Sequence, residues 1–310
     1  MPSISLPHSL DLQATLLGGQ TFCWRKDTGG VFAGWIGNKP IQLQVRDHFL
    51  HWDDPSVAPE SIRSFLCLDL DLSATFHQSG LDPWLEIATQ THPGLRPIRD
   101  DPWECLVNFL CSSLKQIVQI QQINSRLRSF FGGGRGTFPS AETLAEAGEQ
   151  ALRKCALGYR AKHVAQTARI VARSPDFLAI PPSLPTSLAA QYLEQLPGVG
   201  PKISRCVLLY AYSRWDAFPV DVWVDRLIRE LYFPRRRKPF RLEELERWSW
   251  QKFGQGRGLA QLWLFHWYRT RERPTRKQVK GRIPLHSREV GSPRSSGRFP
   301  QRQTVDRRFG

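Results

Sequence analysis

Two side chains in one stretch of the sequence could do chemistry together. Lys202 lies in the first turn of a predicted helix, directly after the Pro-Gly-Val-Gly-Pro segment 197–201, and Asp221 lies where the next predicted helix begins. A cation at a helix start faces the positive end of the helix dipole, which disfavours it by roughly 0.3–1 kcal/mol. The same field favours the neutral amine, which is the form that a nucleophilic lysine needs.

Each half of this pair also has an ordinary structural interpretation. The Pro-Gly-Val-Gly turn taken alone is more often only a tight turn, and Asp221 taken alone is more simply a helix N-cap. The pair favours chemistry, because one helix and one loop could fold the amine and the carboxylate onto a common cleft. Asp221 can then be both cap and catalyst, while the backbone N–H groups of Gly198, Val199 and Gly200 are available to an anion, most naturally a phosphate.

A helix, a hairpin and a second helix are the elements that must position this pair. The segment SLAAQYLEQL, residues 187–196, predicts the first helix. Pro201 fits the first position of the second helix, where its missing N–H costs nothing. Apolar residues at i, i+3, i+4, i+7 and i+8 predict that the second helix buries one face. These residues are Ile203, Cys206, Val207, Tyr210 and Ala211.

The pattern of apolar residues changes along the chain and predicts an α+β fold. Residues 1–98 carry short alternating runs between turn signals, which predict an N-terminal antiparallel sheet domain. In residues 99–270 the apolar positions recur at helical spacing, so a mostly helical region follows the sheet. Residues 271–310 hold twelve Lys or Arg against three acidic residues and almost no apolar ones, which predicts a disordered basic tail.

The composition bounds the partners and the compartment. A formal net charge of +15 on 310 residues suggests an acidic polymer as partner, most simply nucleic acid, although charge alone does not choose between DNA, RNA and a membrane surface. The six cysteines contain no CxxC pair, so neither a zinc ribbon nor an iron–sulfur cluster is expected. No apolar run approaches the ~18 residues of a membrane span, and no leader is visible, so we expect an intracellular protein.

The stretch LPGVGPKISRCVLLYAYSRWDAFPVDVW, residues 196–223, resembles the helix-hairpin-helix–Gly/Pro–Asp signature of DNA base-excision glycosylases, specifically the 8-oxoguanine DNA glycosylase/AP lyases. Four further segments match that family in the same order, and together they extend the resemblance over roughly residues 5–270. They are GGQTFCW near the start, DPWECLVNFLCSS at the beginning of the helical region, LGYRAKHVAQTARIV in its middle and LAQLWLFHW near its end.

The resemblance implies a bifunctional repair enzyme for double-stranded DNA that contains oxidised guanine. Lys202 is then the nucleophile that displaces 8-oxoguanine and forms a Schiff base with the sugar, after which β-elimination nicks the strand. Asp221 stabilises the positive charge that develops on the sugar and helps to activate the amine. The target base must be flipped out of the duplex. Neither a metal nor another cofactor is implied, and we expect a monomer that works where the cell keeps its DNA.

The resemblance also implies a pocket for the flipped base. The carbonyl of Gly19 matches the acceptor for the N7 hydrogen that 8-oxoguanine has and guanine lacks. Phe265 matches the aromatic ring that stacks on the base, Cys206 the thiol on the opposite face, and Gln261 the amide that reads the pairing edge. Without the resemblance these last three would be a core aromatic, a buried thiol and a surface amide.

Contacts to the duplex follow the family pattern only in part. Tyr159 and Arg160 match the residues that wedge into the duplex and contact the orphaned cytosine. Leu114 stands where vertebrate-type enzymes have a space-filling asparagine, Gln119 where they have an arginine on the cytosine, and Trp223 in place of a histidine. We therefore predict a weaker preference for cytosine opposite the lesion, with the reaction class unchanged.

Two other functions fit parts of the pattern. A helix-hairpin-helix glycosylase for alkylated purines would share the fold and the aspartate but would usually lack a lysine at position 202. A non-enzymatic DNA-binding module would need the hairpin but neither that lysine nor a base pocket. Trapping an imine with borohydride on damaged DNA separates both alternatives from the lysine mechanism.

Overall fold

The computed structural model describes residues 1–6, 8–72 and 82–271 of the chain. Residues Met1–Thr270 form one compact unit. The predicted basic tail lies outside the described residues except for Arg271, so its expected disorder stays a prediction. The boundary that we predict near residue 98 also stays a prediction.

An antiparallel sheet of five strands forms near the N-terminus, as the alternating pattern predicts. Its strands are β1 (Ser3–Ser5), β2 (Arg25–Lys26), β3 (Phe32–Ile36), β4 (Lys39–Arg46) and β5 (Phe49–Trp52), in the spatial order β1-β5-β4-β3-β2. Asp47 and His48 join β4 to β5 with left-handed φ angles of 48° and 64°. Two left-handed residues make the hairpin turn that matches the twist of antiparallel strands.

Within the described residues the chain forms twelve α-helices, of which one lies between β1 and β2 and two more follow β5 in the N-terminal third. The helices are α1 (Leu12–Leu17), α2 (Pro59–Phe65), α3 (Pro83–Thr91), α4 (Pro102–Leu110), α5 (Ile117–Phe131), α6 (Ala141–Arg153), α7 (Arg160–Arg173), α8 (Thr186–Leu193), α9 (Pro201–Tyr210), α10 (Val222–Leu231), α11 (Leu242–Phe253) and α12 (Arg257–Thr270). Short 3-10 turns lie between several of them. The α+β class and the order of sheet before helices are therefore confirmed.

The three early helices are an addition to the predicted sheet domain. Leu12 and Leu16 on α1 and Ile62 on α2 are buried in one cluster with Leu43 of β4 and with Trp24, which directly precedes β2. The sheet has one apolar face to cover, and α1 and α2 cover it. A second and larger core lies among the helices from α3 to α12.

A buried ion pair ties α4 to α5 inside the helical core. The Nη2 of Arg128 lies 2.6 Å from Oε2 of Glu104, and the amide of Asn124 donates to Oε1 of Glu104 over 2.8 Å. Both charged side chains are almost completely buried, so removing one partner would leave an uncompensated charge in the core. The pair fixes the orientation of α4, whose C-terminal end faces the predicted catalytic lysine.

Candidate active site

The predicted helix-hairpin-helix unit is formed by α8, the turn that follows it, and α9. Gly198 has a φ of 81°, and a Cβ added there would lie 2.0 Å from Nδ1 of His163 on α7, so only glycine fits. The N–H of Val199 donates within the turn to the carbonyl of Leu196 over 3.0 Å. Among the described residues the N–H groups of Gly198 and Gly200 have no acceptor, which leaves them for an anion.

The amine of Lys202 is held against the end of α4. Its Nζ donates a hydrogen bond to Oγ of Ser112 over 2.7 Å and lies 4.9 Å from the centre of the Phe109 ring. The Ser112 hydroxyl in turn donates to the carbonyl of Phe109 over 2.7 Å, which fixes its orientation. The Phe109 ring stacks on Tyr210 at 5.7 Å. The lysine therefore has a defined position at an aromatic wall.

Asp221 is the N-cap of α10, as its ordinary interpretation predicts. Its Oδ1 accepts hydrogen bonds from the backbone N–H groups of Trp223 and Val224, both at 2.9 Å. Its second oxygen, Oδ2, accepts no hydrogen bond from any described residue. One carboxylate oxygen is thus engaged in capping, and the other is available to a ligand.

A cavity of about 320 Å³ brings the amine and the carboxylate together with the predicted base-binding residues. This volume is of the size that small-molecule sites in proteins have, which starts at roughly 300 Å³. The six predicted residues that line it are Gly19, Lys202, Cys206, Asp221, Gln261 and Phe265. They come from the loop after α1 and from α9, the α10 cap and α12, which are far apart in sequence.

The cavity is lined by neutral groups on one side. Burial raises the pKa of the Cys206 thiol to about 11, although the Lys202 amine lowers it and Asp221 adds a smaller increase, so the thiol stays protonated at physiological pH. Burial also raises the pKa of Tyr210 well above its ordinary value. Gln261 is only 5% exposed, and its Oε1 has no hydrogen-bond partner among the described residues. A buried acceptor without a partner is rare in folded proteins, and here it is available to a ligand in the cavity.

Gly19 needs its glycine for two reasons. Its φ of 103° lies in the range that other residues rarely adopt, and an added Cβ would lie 2.8 Å from Cδ1 of Ile117. The backbone of the Gly19 loop therefore comes close to the start of α5. A ligand in the cavity can approach the main chain here without a side chain in the way.

A wider groove of about 1180 Å³ opens beside the cavity and shares Lys202, Asp221 and Trp223 with it. Four basic residues besides Lys202 line this groove, against three acidic ones; the basic residues are Lys115, Arg226, Arg229 and Arg236, and the acidic ones Asp221, Asp225 and Glu230. A long groove with basic side chains suits a charged polymer better than a small molecule. The cavity thus lies at the side of a surface that could hold a nucleic-acid strand.

Two family profiles match the chain in succession. The one described as 8-oxoguanine DNA glycosylase, N-terminal domain, matches residues 3–106, and the one described as HhH-GPD superfamily base excision DNA repair protein matches residues 107–252. The Arabidopsis thaliana protein named N-glycosylase/DNA lyase OGG1 is 30% identical over 251 residues, which are 74% of this chain and 69% of that protein. The chain belongs to the 8-oxoguanine DNA glycosylase family.

Solved structures of the family have the same fold. A structure of MBOgg1 in complex with a low-affinity DNA ligand is 29% identical, with a TM-score of 0.80 and coverage of 86% of this chain and 94% of that one. The Clostridium acetobutylicum 8-oxoguanine glycosylase/lyase, in complex with double-stranded DNA containing cytosine opposite 8-oxoG, is 25% identical, with a TM-score of 0.77 and coverage of 84% and 92%. The resemblance seen in the sequence is therefore confirmed.

In this member of the family, Leu114 lines the groove, and both Leu114 and Tyr159 have exposed side chains. They are 91% and 55% exposed, and Leu114 has a left-handed φ of 54°. Arg160 is only 6% exposed: its guanidinium donates to the carbonyl of Ser113 and, over 3.3 Å, to that of Leu157. Arg160 thus joins the Leu114 turn to the Tyr159 turn through two of its N–H groups.

Two other departures from the family pattern also have structural partners. The Oε1 of Gln119 accepts the backbone N–H of Gln116 over 3.0 Å and so caps α5. Trp223 lines both the cavity and the groove, and the guanidinium carbon of Arg226 lies 5.3 Å from the centre of its ring. The predicted contacts of Tyr159 and Arg160 to DNA stay predictions.

The sequence interpretation did not include several residues that line the cavity, notably Phe109, Ser112 and Arg269. Ser112 lies in the matched segment DPWECLVNFLCSS, but that match assigns it no role. Arg269 had a sequence signal, since it follows Gln261 and Phe265 at steps of four residues along α12, which places all three on one helix face.

The described residues contain no group of three or more His, Cys, Asp or Glu side chains placed to hold a metal ion. None of the helices that the structure describes is long and apolar enough to span a membrane. The expectations that the protein is a monomer and has no iron–sulfur cluster stay predictions.

Proposed function

We propose that this chain excises 8-oxoguanine from double-stranded DNA through a Schiff base on Lys202 and then nicks the abasic site. The observation that carries the proposal is the cavity in which Lys202 and Asp221 lie together with the predicted base-binding residues. The relatives named N-glycosylase/DNA lyase and 8-oxoguanine glycosylase/lyase support both halves of the activity.

The chemistry begins with the neutral amine of Lys202. Its hydrogen bond to Ser112 uses one N–H as donor, so the nitrogen lone pair is free to attack the anomeric carbon of the flipped nucleotide. As the bond from nitrogen to carbon forms, the glycosidic bond breaks, and its electron pair leaves with the base. The free carboxylate oxygen of Asp221 stabilises the positive charge that develops on the sugar.

The imine then makes the strand break possible. After loss of a proton from the attacking nitrogen and opening of the sugar ring, the protonated imine acidifies the neighbouring C2′ position. Removal of a C2′ proton and expulsion of the 3′ phosphate complete a β-elimination. No oxidant, reductant or metal ion enters this balance.

Recognition of the damaged base uses the neutral side of the cavity. The carbonyl of Gly19 accepts the N7 hydrogen of 8-oxoguanine, Phe265 stacks on the ring, and the unpartnered Oε1 of Gln261 accepts N–H groups of the pairing edge. The protonated thiol of Cys206 packs against the base without adding a negative charge that would repel the carbonyl oxygens of 8-oxoguanine. Guanine has no N7 hydrogen, so it would leave the Gly19 carbonyl without its donor, and an unmade hydrogen bond of this kind costs about 1–3 kcal/mol.

Borohydride trapping tests the proposal directly. Wild-type protein, duplex DNA with one 8-oxoguanine opposite cytosine, and borohydride are expected to give a covalent protein–DNA product, while the same duplex with guanine gives none. Release of alkylated purines without a trapped product would assign the chain to the alkylated-purine glycosylases. Binding of DNA without base release or trapping would identify a non-enzymatic module.

A further inference from the structure

Arg269 is the one cavity residue on α12 that neither the sequence pattern nor the mechanism above uses. It lies one turn beyond Phe265, which itself lies one turn beyond Gln261, so the three share the helix face that lines the cavity. The guanidinium carbon of Arg269 is 5.4 Å from the centre of the Phe265 ring. A cation is thus built into the wall next to the predicted base-stacking ring.

The Arg269 guanidinium has no hydrogen-bond acceptor and no ion-pair partner within the described part of the chain, although the side chain is half-buried. Other buried arginines differ in this respect: Arg128 pairs with Glu104, and Arg257 donates to the carbonyls of Asp216 and Glu246. A half-buried guanidinium has up to five N–H donors, and those of Arg269 are left for whatever enters the cavity.

The surroundings of Arg269 favour an anionic ligand. Burial lowers its pKa, and the carboxylate of Asp221 opposes that effect, so Asp221 is the group whose charge acts on Arg269. This carboxylate is the proposed stabiliser of the sugar cation. Arg269, Asp221 and Lys202 line the same cavity, so the guanidinium borders the space that the flipped nucleotide would enter.

We propose that Arg269 is a substrate-binding residue that donates hydrogen bonds to an anionic oxygen of the flipped nucleotide. This inference rests on the proposed function. Two oxygens have the required chemistry: a non-bridging oxygen of the adjoining phosphate, and a carbonyl oxygen of the purine, which takes up negative charge as the glycosidic electron pair leaves with the base. Guanidinium geometry suits both, and charge-assisted hydrogen bonds are about twice as strong as neutral ones.

Two variants and two DNA duplexes test the proposal and separate the two oxygens. Arg269→Gln removes the charge, and Arg269→Lys keeps the charge without the planar fork. Arg63→Gln is the matched control, since Arg63 is exposed on α2 and lines neither the cavity nor the groove. One duplex carries 8-oxoguanine, and the other carries a preformed abasic site, which retains the phosphates and lacks the base.

The single-turnover excision rate of Arg269→Gln on 8-oxoguanine is expected to fall by about tenfold or more, because a hydrogen bond to a charged group is removed. Arg269→Lys is expected to lie between it and wild type, and Arg63→Gln to equal wild type. If the bound oxygen is a phosphate, trapping on the abasic duplex falls as well. If it is a purine carbonyl, the abasic duplex is cleaved at the wild-type rate.

Wild-type rates for Arg269→Gln on both duplexes overturn the inference. Should Arg269→Gln fail to fold, Arg269→Lys becomes the test variant, and full activity of that variant on both duplexes overturns the inference in the same way. A wild-type protein that gives no trapped product with either duplex refutes the proposed function itself, and the role of Arg269 falls with it.

Discussion

The hydrogen bond between Lys202 and Ser112 predicts a measurable and bounded effect of Ser112→Ala. The Ser112 hydroxyl is fixed by its own bond to the Phe109 carbonyl and accepts the Lys202 amine over 2.7 Å. Removing the Ser112 hydroxyl leaves the Lys202 amine in the cavity but allows the lysine side chain to adopt other rotamers. The catalytic group is kept, and its fraction of time in the attacking position falls.

The size of the effect follows from the burial of the bond. Lys202 is half-buried and borders an open cavity, so water can replace the serine hydroxyl in part. A net loss of about 0.5–1.5 kcal/mol is then expected, as for an ordinary protein hydrogen bond. Because 1.36 kcal/mol corresponds to a tenfold rate change, the excision rate should fall by about 2- to 13-fold.

Single-turnover excision with excess enzyme measures this rate without product release. The matched control is Ser125→Ala, because the Ser125 hydroxyl also accepts a hydrogen bond from a basic side chain, Arg25, over 2.8 Å, but outside the cavity. Binding to DNA with an uncleavable abasic analogue should be unchanged in both variants. A wild-type excision rate in Ser112→Ala would refute the positioning role, and so would a loss of DNA binding that accounts for the whole effect.

Three further predictions concern catalysis, pH dependence and DNA affinity. Asp221→Asn keeps a capping oxygen and removes the charge, so excision should slow. The melting temperature should change no more than in Asp101→Asn, because Asp101 caps a helix outside the cavity. Unchanged turnover would mean that Asp221 is only a cap. Burial, and then the charge of the Glu104 carboxylate, raise the pKa of Asp100 in the folded protein. The neutral carboxyl of Asp100 therefore stabilises the folded state at low pH, and this stabilisation is lost as the pH rises through the folded pKa. The melting temperature of Asp100→Asn relative to wild type should therefore increase between pH 4 and pH 8, and a constant difference would contradict the shift. Removing residues 272–310 should weaken binding to undamaged duplex, while excision at saturating enzyme is unchanged. The slope of log affinity against log salt concentration should become less steep by about 0.9 per lost phosphate contact. An identical slope would exclude a DNA-binding role for the tail.

Periodicity and turn residues predict the framework of this protein well. All five strands lie before residue 53 and nine of the twelve described helices begin after residue 98, which is the order that the change from alternating to helical spacing predicts, and Pro201 is the first residue of α9 as predicted. The three early helices were not predicted, because the short helical stretches of residues 12–17, 59–65 and 83–91 lie between strands and turns and offer few periodic positions. Their formation depends on covering the sheet, which is a tertiary effect.

The matching motifs predict that the base-binding residues line one cavity. They do not predict which hydrogen bonds the individual side chains make. Nothing in the sequence indicates that Arg160 is buried on the carbonyl of Ser113 or that Gln119 caps its own helix. The Arg160 bond depends on the approach of two turns that are distant in sequence, whereas the Gln119 bond is local and depends on where α5 begins. The contact of Ser112 with Lys202 is equally hard to predict from the sequence, because it exists only after α4 and α9 pack together.

Mapping the trapped adduct shows which amine forms the covalent intermediate, and we expect it to be the amine of Lys202. The borohydride-reduced product on 8-oxoguanine DNA is digested, and the modified peptide is sequenced by mass spectrometry. If Lys202 is the nucleophile, the sugar remnant lies on Lys202, and Lys202→Gln gives no adduct. Lys115 is the other lysine that lines the cavity, so an adduct on Lys115, or trapping that persists in Lys202→Gln, would contradict the account.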